Sequence, residues 1–385
     1  MMIRAKIAAA ILFFLLAGII ALPRPAAALE TTAEFAMLMD YETGAVLWGK
    51  NVDEPMYPSS MSKLMTLEML FNAIRDGTVS LEDEFRISEY AWRVGGAASG
   101  SSTMFAELNS NVPVDAILRS IIIQSGNDAC IATAEALSGS ESAFAEAMNE
   151  RAKELGMKNS HFVNSTGWPH PEHIMTAYDL GLLSRHLIMD FPEYYPIFRE
   201  TEFTWNGIRQ GNRNPGLYLD PTIDGLKTGH TQAAGYGLVA SAKRGDQRLI
   251  LVVNGLQSEK ARADETVKLM DWGFRSFKRY DLFAAGAVVE NAPVWQGTYG
   301  EVPLVSKKDI NVIISPQQRR DMKVTVVYQT PIAAPIAVGQ EIGALRIEVP
   351  GIPVQEHPLV AGGAVERQGI FGRAMNALKH MILGS

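Results

Sequence analysis

Apolar residues run from Phe35 to Asp40 and again from Ala45 to Gly49, with Glu42-Thr43-Gly44 between them as a polar turn, so the segment predicts a β-hairpin. Pro58 and Ser59 lead into Met61 to Ile74, where apolar positions recur with helical period. A mainly helical stretch follows from about Ser88 to Leu187, broken by loops rich in Gly, Ser and Asn. Strand patterns return at Gly235 to Ala242 and Arg248 to Leu256, joined through a turn at Arg244-Gly245-Asp246. Next comes a helix whose expected inward stripe is Ala263, Val267, Met270, Phe274 and Phe277. Strands, a helical insertion, then strands and a closing helix predict an α/β domain ending near Tyr280.

The pattern then changes. Asn311 to Ile314 and Lys323 to Tyr328 are short β-rich runs, with Val324, Val326 and Tyr328 alternating on one face. Prolines at 316, 331, 335, 350, 353 and 358 leave no room for a long helix before residue 367. This region predicts a small all-β sandwich. The expected organisation is a signal segment at 1–28, an α/β domain at 29–285, a β-sandwich at 286–366 and an amphipathic helix at 367–385.

The two ends carry membrane-related signals. Arg4 and Lys6 precede an apolar run from Ile7 to Leu22, Pro23-Arg24-Pro25 breaks it, and Ala26-Ala27-Ala28 suits a signal peptidase. An uncleaved anchor is the alternative, although the run is short for a span of ~20 residues. Cleavage after Ala28 removes Arg4, Lys6 and Arg24 and no acid, taking the net charge from -7 to -10, a poor balance for nucleic-acid binding. At the other end, Ile370, Phe371, Ala374, Met375, Leu378, Met381 and Ile382 recur at helical spacing, and the residues there that can carry charge are all basic. Such a helix can lie among lipid headgroups, apolar side down, or pack on its own domain.

With Cys130 the single cysteine, no internal disulfide can form, and Asp128-Ala129-Cys130-Ile131-Ala132 places it at a buried helix start as a small core residue. The 7 His show no H-E-x-x-H pattern, and neither a metal nor a cofactor is expected.

The chemistry lies in three short motifs in a fixed order: Ser60-Met61-Ser62-Lys63, Ser125-Gly126-Asn127 and Lys227-Thr228-Gly229. An S-x-x-K, S-x-N, K-T-G series marks enzymes that acylate a serine with a peptide or a β-lactam. Ser60 and Lys63 stand one helical turn apart, roughly 5–6 Å between Cβ atoms, so the amine reaches the hydroxyl. A lysine of ordinary pKa, ~10.4, is neutral about once in 2,500 molecules at pH 7. It must be desolvated or set beside another cation to serve as a base, and Lys227 is that cation. The backbone N–H groups at the helix start after Pro58-Ser59 can face a developing oxyanion. Ser125 can pass a proton to a leaving group and the Asn127 amide can hold substrate backbone; the competing role for Asn127 or Asp128 is a helix N-cap. Thr228 can bind a carboxylate, and Gly229 would let substrate backbone approach closely.

From about residue 33 to its C-terminus, the chain resembles the low-molecular-mass penicillin-binding proteins of the type-5 D-alanyl-D-alanine carboxypeptidase family. Beyond the motifs, the resemblance rests on Tyr57-Pro58-Ser59-Ser60, Lys63-Leu64-Met65-Thr66, Ile123-Gln124-Ser125-Gly126-Asn127-Asp128, Asp224-Gly225-Leu226-Lys227-Thr228-Gly229-His230-Thr231 and Asp271-Trp272-Gly273-Phe274. It implies a penicillin-binding-protein-like transpeptidase domain, with an antiparallel sheet flanked by helices and a helical subdomain, then a small all-β domain and a membrane-anchoring amphipathic helix. It also implies two-step hydrolysis of the terminal D-Ala-D-Ala bond of cell-wall stem peptides on the periplasmic face of the inner membrane, inhibited by β-lactams. Ser60 would be the nucleophile, Lys63 the base, and the N–H groups of Ser60 and His230 the oxyanion hole. Ser125 would relay the proton. Lys227, Thr228 and Arg262 would face the terminal carboxylate, and Arg213 occupies a similar family position near the pocket. Two departures stand out: Val94 to Ser102 is longer than the family pattern, and Cys130 replaces a smaller residue.

Three alternatives remain open on sequence grounds. A related β-lactamase needs a deacylating carboxylate in the loop after S-x-N, where Asn164 to His173 offers only Glu172. A DD-endopeptidase would act on cross-linked dimers, and a non-enzymatic β-lactam-binding scaffold would not need all three motifs intact.

Overall fold

Residues 29–370 are described by a computed structural model. The predicted signal segment (1–28) and residues 371–385 of the predicted terminal helix lie outside them. Among the described residues no helix is long and apolar enough to cross a membrane.

One compact unit begins at Thr32. The predicted hairpin forms as β1 (Phe35–Asp40) and β2 (Val46–Lys50), with Leu38 opposite Trp48. A 3-10 turn at Ser59–Ser62 feeds α1 (Lys63–Arg75). The helical insertion carries a small ladder of β3 (Glu84–Arg86) and β4 (Asn111–Pro113), then α2 (Val114–Arg119), α3 (Asn127–Ser138), α4 (Glu141–Glu154) and α5 (Ala177–Asp190). A second hairpin, β5 (Glu202–Trp205) and β6 (Ile208–Gly211), precedes the short α6 (Gly216–Leu219). The chain then returns to the main sheet as β7 (Ile223–Thr231), β8 (Gly235–Arg244) and β9 (Gln247–Leu256), and α7 (Glu259–Ser276) closes the α/β part.

The main sheet is antiparallel throughout, in the order β2-β1-β9-β8-β7. Its central strands read as continuous apolar runs because helices cover both faces. Met37, Met39, Ile250 and Val252 join the large core shared with Leu64 and Leu67 of α1 and Leu180 and Leu183 of α5. The alternate residues face α7, where a Cβ on Gly273 would sit 2.6 Å from Leu38 Cδ2 and 3.0 Å from Leu249 Cδ1. A Cβ there would have to displace the leucine side-chain ends, so the glycine favours close helix–sheet packing.

The α7 stripe holds at Met270, Phe274 and Phe277 and departs from expectation in the first half of the helix. Arg262, Glu265, Thr266, Leu269, Met270, Gly273 and Phe274 are buried, whereas Ala263 and Val267 are only half-buried. The helix is rotated so that the Arg262 guanidinium points into the cavity described below. An apolarity pattern cannot anticipate a buried arginine.

The remainder holds β10 (Lys278–Phe283), β11 (Val288–Trp295), β12 (Glu301–Ser306), β13 (Ile310–Ile314), α8 (Pro316–Asp321), β14 (Lys323–Tyr328), β15 (Ile332–Ala333), β16 (Glu341–Val349) and β17 (Ile352–Ala361). A six-stranded sheet, β14-β16-β17-β12-β11-β15, and the β10–β13 pair enclose a second core. It contains Val302, Leu304, Ile310, Val312, Ile314, Leu345, Ile347 and Leu359. The β14 strand is at the sheet edge, so Val324 is exposed while Val326 and Tyr328 are half-buried.

A buried polar network fixes the start of β7. Arg248 on β9 donates to both carboxylate oxygens of Asp224, at 2.7 Å each, and the Tyr195 hydroxyl donates to Asp224 Oδ1 at 2.6 Å. Arg248 also reaches Ser241 Oγ at 2.7 Å. Burial and the Asp224 carboxylate hold the Tyr195 hydroxyl well above its ordinary pKa. Asp224→Ala leaves a mostly buried guanidinium without its partner, which is expected to cost about 3 kcal/mol. Urea unfolding should show a lowered midpoint with an unchanged slope.

Candidate active site

Ser60 sits inside the 3-10 turn, and its hydroxyl lies 3.0 Å from Lys63 Nζ, the donor. The N–H groups of such a first turn have no partner within the helix. Lys63 is fully buried and donates a second, short hydrogen bond to the Thr166 carbonyl. That carbonyl belongs to a loop in which Asn164 Oδ1 accepts from the N–H groups of Thr166 (3.2 Å), Gly167 (2.8 Å) and Trp168 (3.1 Å), while Glu141 accepts from the N–H of Ser165 and Thr66 donates to the Ser165 carbonyl. Gly167 is left-handed, φ +75°, and a Cβ there would stand 2.0 Å from Ser59 O. Only glycine lets the loop press against the nucleophile's turn. Thr166 and Gly167 were not among the sequence-derived candidates. A lysine partner that is a backbone carbonyl leaves no trace in residue type, and Asn164-Ser165-Thr166-Gly167 signals only a turn.

Lys227 comes up from β7 on the other side, also buried, and donates to Thr228 O at 3.2 Å. Both lysines have lowered pKa values. For Lys63, burial is the first cause and Arg213 pushes the same way, bringing it to about 8. For Lys227, burial again comes first, followed by the charge of Lys63. Of the two devices the sequence argument allowed, desolvation and a second cation, desolvation is the larger. At pH 7 a pKa of about 8 leaves Lys63 neutral in about one molecule in ten.

Gly229 lines the cavity and also has a packing task that the sequence did not suggest. A Cβ there would meet Pro58 O at 2.8 Å and Met61 N at 3.2 Å, so its small size lets β7 pack on the turn that carries Ser60.

Ser125 caps a π-type turn, Ser120–Gln124, in the left-handed region at φ 64°. A non-glycine residue is uncommon there and often marks a functional site. Asn127 begins α3, whose N-cap is Gly126 with no side-chain cap, so neither Asn127 nor Asp128 does the capping. Asn127 Nδ2 instead donates to Ser101 Oγ at 3.0 Å, and its backbone N–H to Ser102 O at 2.8 Å. Asp128 is buried and accepts from Thr103 Oγ1 at 2.6 Å and Met104 N at 3.0 Å. The Gly/Ala/Ser-rich segment ending at Ser102 is thereby tied to α3 as one wall of the site.

All three motifs open into one cavity of about 820 Å³, whose lining includes Ser60, Ser125, Asn127, Thr228, Gly229, His230, Arg213 and Arg262. Lys63 and Lys227 lie just beneath. The His230 ring stacks on Tyr236 at 3.9 Å, and the Arg262 guanidinium lies 5.5 Å from the same tyrosine ring. Arg213 donates to Ser102 Oγ. Burial lowers the pKa of both arginines, yet a guanidinium stays charged at neutral pH. Ser125 Oγ, Asn127 Oδ1 and Arg262 Nε are buried with no hydrogen-bond partner. Unpaired groups of this kind cost free energy unless a ligand satisfies them.

Glu172 is exposed and does not line the cavity, which removes the one carboxylate a β-lactamase reading had available in that loop. Cys130 is buried and its thiol is pushed up to about 12, foremost by burial, so it is not a thiolate at neutral pH. Among the described residues no group of His, Cys, Asp and Glu can hold a metal ion.

This architecture recurs in known proteins. The sequence profile of the family described as D-alanyl-D-alanine carboxypeptidase matches residues 23–258. The profile described as penicillin-binding protein 5, C-terminal domain, matches residues 277–367. The D-alanyl-D-alanine carboxypeptidase DacC of Escherichia coli K12 is 40% identical over 340 residues, 88% of this chain and 85% of that protein. The solved structure of penicillin-binding protein 5 from Haemophilus influenzae superposes with a TM-score of 0.79 at 36% identity, covering 88% of this chain and 99% of that one. Penicillin-binding protein D2 from Listeria monocytogenes, solved in its ampicillin-bound form, matches with a TM-score of 0.56 at 29% identity over 64% of this chain and 98% of its own. The chain thus belongs to the D-alanyl-D-alanine carboxypeptidase family and has its two-part build, a transpeptidase-like α/β domain followed by an all-β domain.

Proposed function

We propose that this protein is a serine-type D-Ala-D-Ala carboxypeptidase, removing the terminal D-alanine of peptidoglycan stem peptides through an acyl-enzyme on Ser60. The observation that carries the reading is the 3.0 Å contact between Ser60 Oγ and a fully buried Lys63 Nζ, at the floor of a cavity flanked by cations.

In the first step neutral Lys63 takes the Ser60 proton as Oγ attacks the carbonyl carbon of the penultimate D-Ala. The N–H groups of Ser60 and His230 stabilise the oxyanion. The C–N bond then breaks, and the proton passes through Ser125 to the departing amine. Asn127 holds the substrate amide. Lys227, Thr228, Arg262 and Arg213 face the terminal carboxylate, and the unpaired Arg262 Nε and Asn127 Oδ1 supply a donor and an acceptor for it and for the peptide. Water, activated by the same lysine, cleaves the ester and returns Ser60 to its starting state. A β-lactam acylates Ser60 in the same way and leaves slowly, consistent with the ampicillin-bound Listeria relative.

We further propose an exported enzyme held at the periplasmic face of the inner membrane through 367–385. What supports this is the apolar-periodic, base-only composition of that terminal segment together with the signal-like composition of residues 1–28.

A defined pentapeptide should lose one D-alanine, as mass spectrometry of the product will show, and Ser60→Ala should reduce release to background and abolish covalent labelling by penicillin. Rapid penicillin turnover, or cleavage of cross-linked dimers with pentapeptides untouched, would reverse the assignment. Because Lys63 must be neutral and its pKa is lowered to about 8, the acylation rate should rise about tenfold per pH unit below 8 and level off above it. Lys63→Arg should lose acylation, since an arginine stays protonated. Deleting residues 367 to 385 should shift the protein from the membrane to the soluble fraction on cell fractionation.

A further inference from the structure

Glu259 is the one acidic residue lining the cavity among the described residues, and neither the motifs nor the proposed chemistry uses it. It is the first residue of α7, but it does not cap that helix: Ser258 Oγ accepts from Ala261 N at 3.0 Å. Its side chain is 77% exposed, and its Oε1 lies 3.9 Å from Arg262 Nη2, at the limit of a direct ion pair. Its charge reaches both cavity arginines, raising the proton affinity of Arg213 as well as of Arg262. A loosely held carboxylate thus stands beside two guanidinium groups that are otherwise short of anionic partners. Arg213 has a hydroxyl, and Arg262 has an aromatic face and an unpaired Nε. An exposed acid is easily displaced by a better-placed one.

We propose that Glu259 is an internal competitor for the carboxylate site: it offsets the attraction of Arg213 and Arg262 for the substrate's terminal carboxylate, and so limits how tightly peptide and departing D-alanine are held. The inference rests on the reading of those arginines as carboxylate-binding. It makes Glu259 a specificity-determining residue for the charge at the end of the peptide. Two guanidinium groups without this counter-charge would hold the free D-alanine carboxylate after cleavage and slow its departure. Glu259 keeps the site cationic enough to select a free carboxylate and weak enough to let it go.

The test compares wild type, Glu259→Gln and Glu259→Asp on a pentapeptide with a free C-terminus and on its C-terminal amide. For Glu259→Gln, KM for the free acid should fall about two- to fivefold, the range expected for losing an exposed charge pair. KM for the amide should not move, inhibition by added D-alanine should strengthen, and all differences should shrink as salt is raised. Glu259→Asp should stay near wild type. A KM for the free acid that is unchanged or raised, or an equal shift for acid and amide, overturns the proposal. Failure of the parent reading shows separately, as absence of Ser60-dependent D-alanine release from wild type. In that event the rate of Ser60 acylation by penicillin against its methyl ester reads the same competition, with faster acylation by the free acid alone in Glu259→Gln as the supporting result and equal rates as the refuting one.

Discussion

Two ammonium-bearing side chains buried beneath one serine are the constraint on which the rest of this structure depends. Desolvating a lysine is unfavourable by several kcal/mol, and each burial must be compensated by surrounding contacts. Lys63 has the Ser60 hydroxyl and the Thr166 carbonyl; Lys227 has the Thr228 carbonyl. Neither has a carboxylate in direct contact, since a salt bridge would raise the lysine pKa and remove the base. The site is thus built from hydroxyls and carbonyls, which accept hydrogen bonds without neutralising the charge.

This choice explains the scaffold around it. A carbonyl can be aimed only by fixing its backbone, and the loop from Asn164 to Trp168 is fixed by an asparagine oxygen serving three N–H groups, with Glu141 and Thr66 holding Ser165. Gly167 and Gly229 lack side chains where two segments press on the serine's turn from opposite sides. The strand that carries Lys227 is anchored at its start by Asp224, Arg248 and Tyr195, which places this ion pair three residues from Lys227 along the strand. Packing and backbone geometry together hold an amine of lowered pKa within reach of a hydroxyl.

Much of this was legible in the residues. The apolar alternations from Phe35 to Asp40, Gly235 to Ala242 and Arg248 to Leu256 are strands because period-2 and all-apolar runs have few other stable arrangements. Ser60 and Lys63 meet because three residues on a helical turn share a face. Where the reading failed, a polar group was doing what apolar periodicity assigns to hydrophobic ones. Arg262 turns inward on α7 where periodicity gave Ala263, and Gly229, besides lining the cavity, makes room for β7 on the turn that carries Ser60. Thr166 escaped notice because the working atom is one that every residue carries.

The sequence by itself determined the chemistry available: which hydroxyl, which amines, and the local turns that place a serine and a lysine one helical step apart. Those are short-range consequences of covalent spacing and backbone preference. Only the tertiary structure decided how strongly the lysines are desolvated, which carbonyl receives Lys63, which way α7 faces, and that an acid stands beside the two cavity arginines. Most of these depend on segments distant in the chain arriving at one place, as Lys63 and Thr166 do across 103 residues. Burial and electrostatic environment belong to that arrangement in space and to no stretch of chain alone.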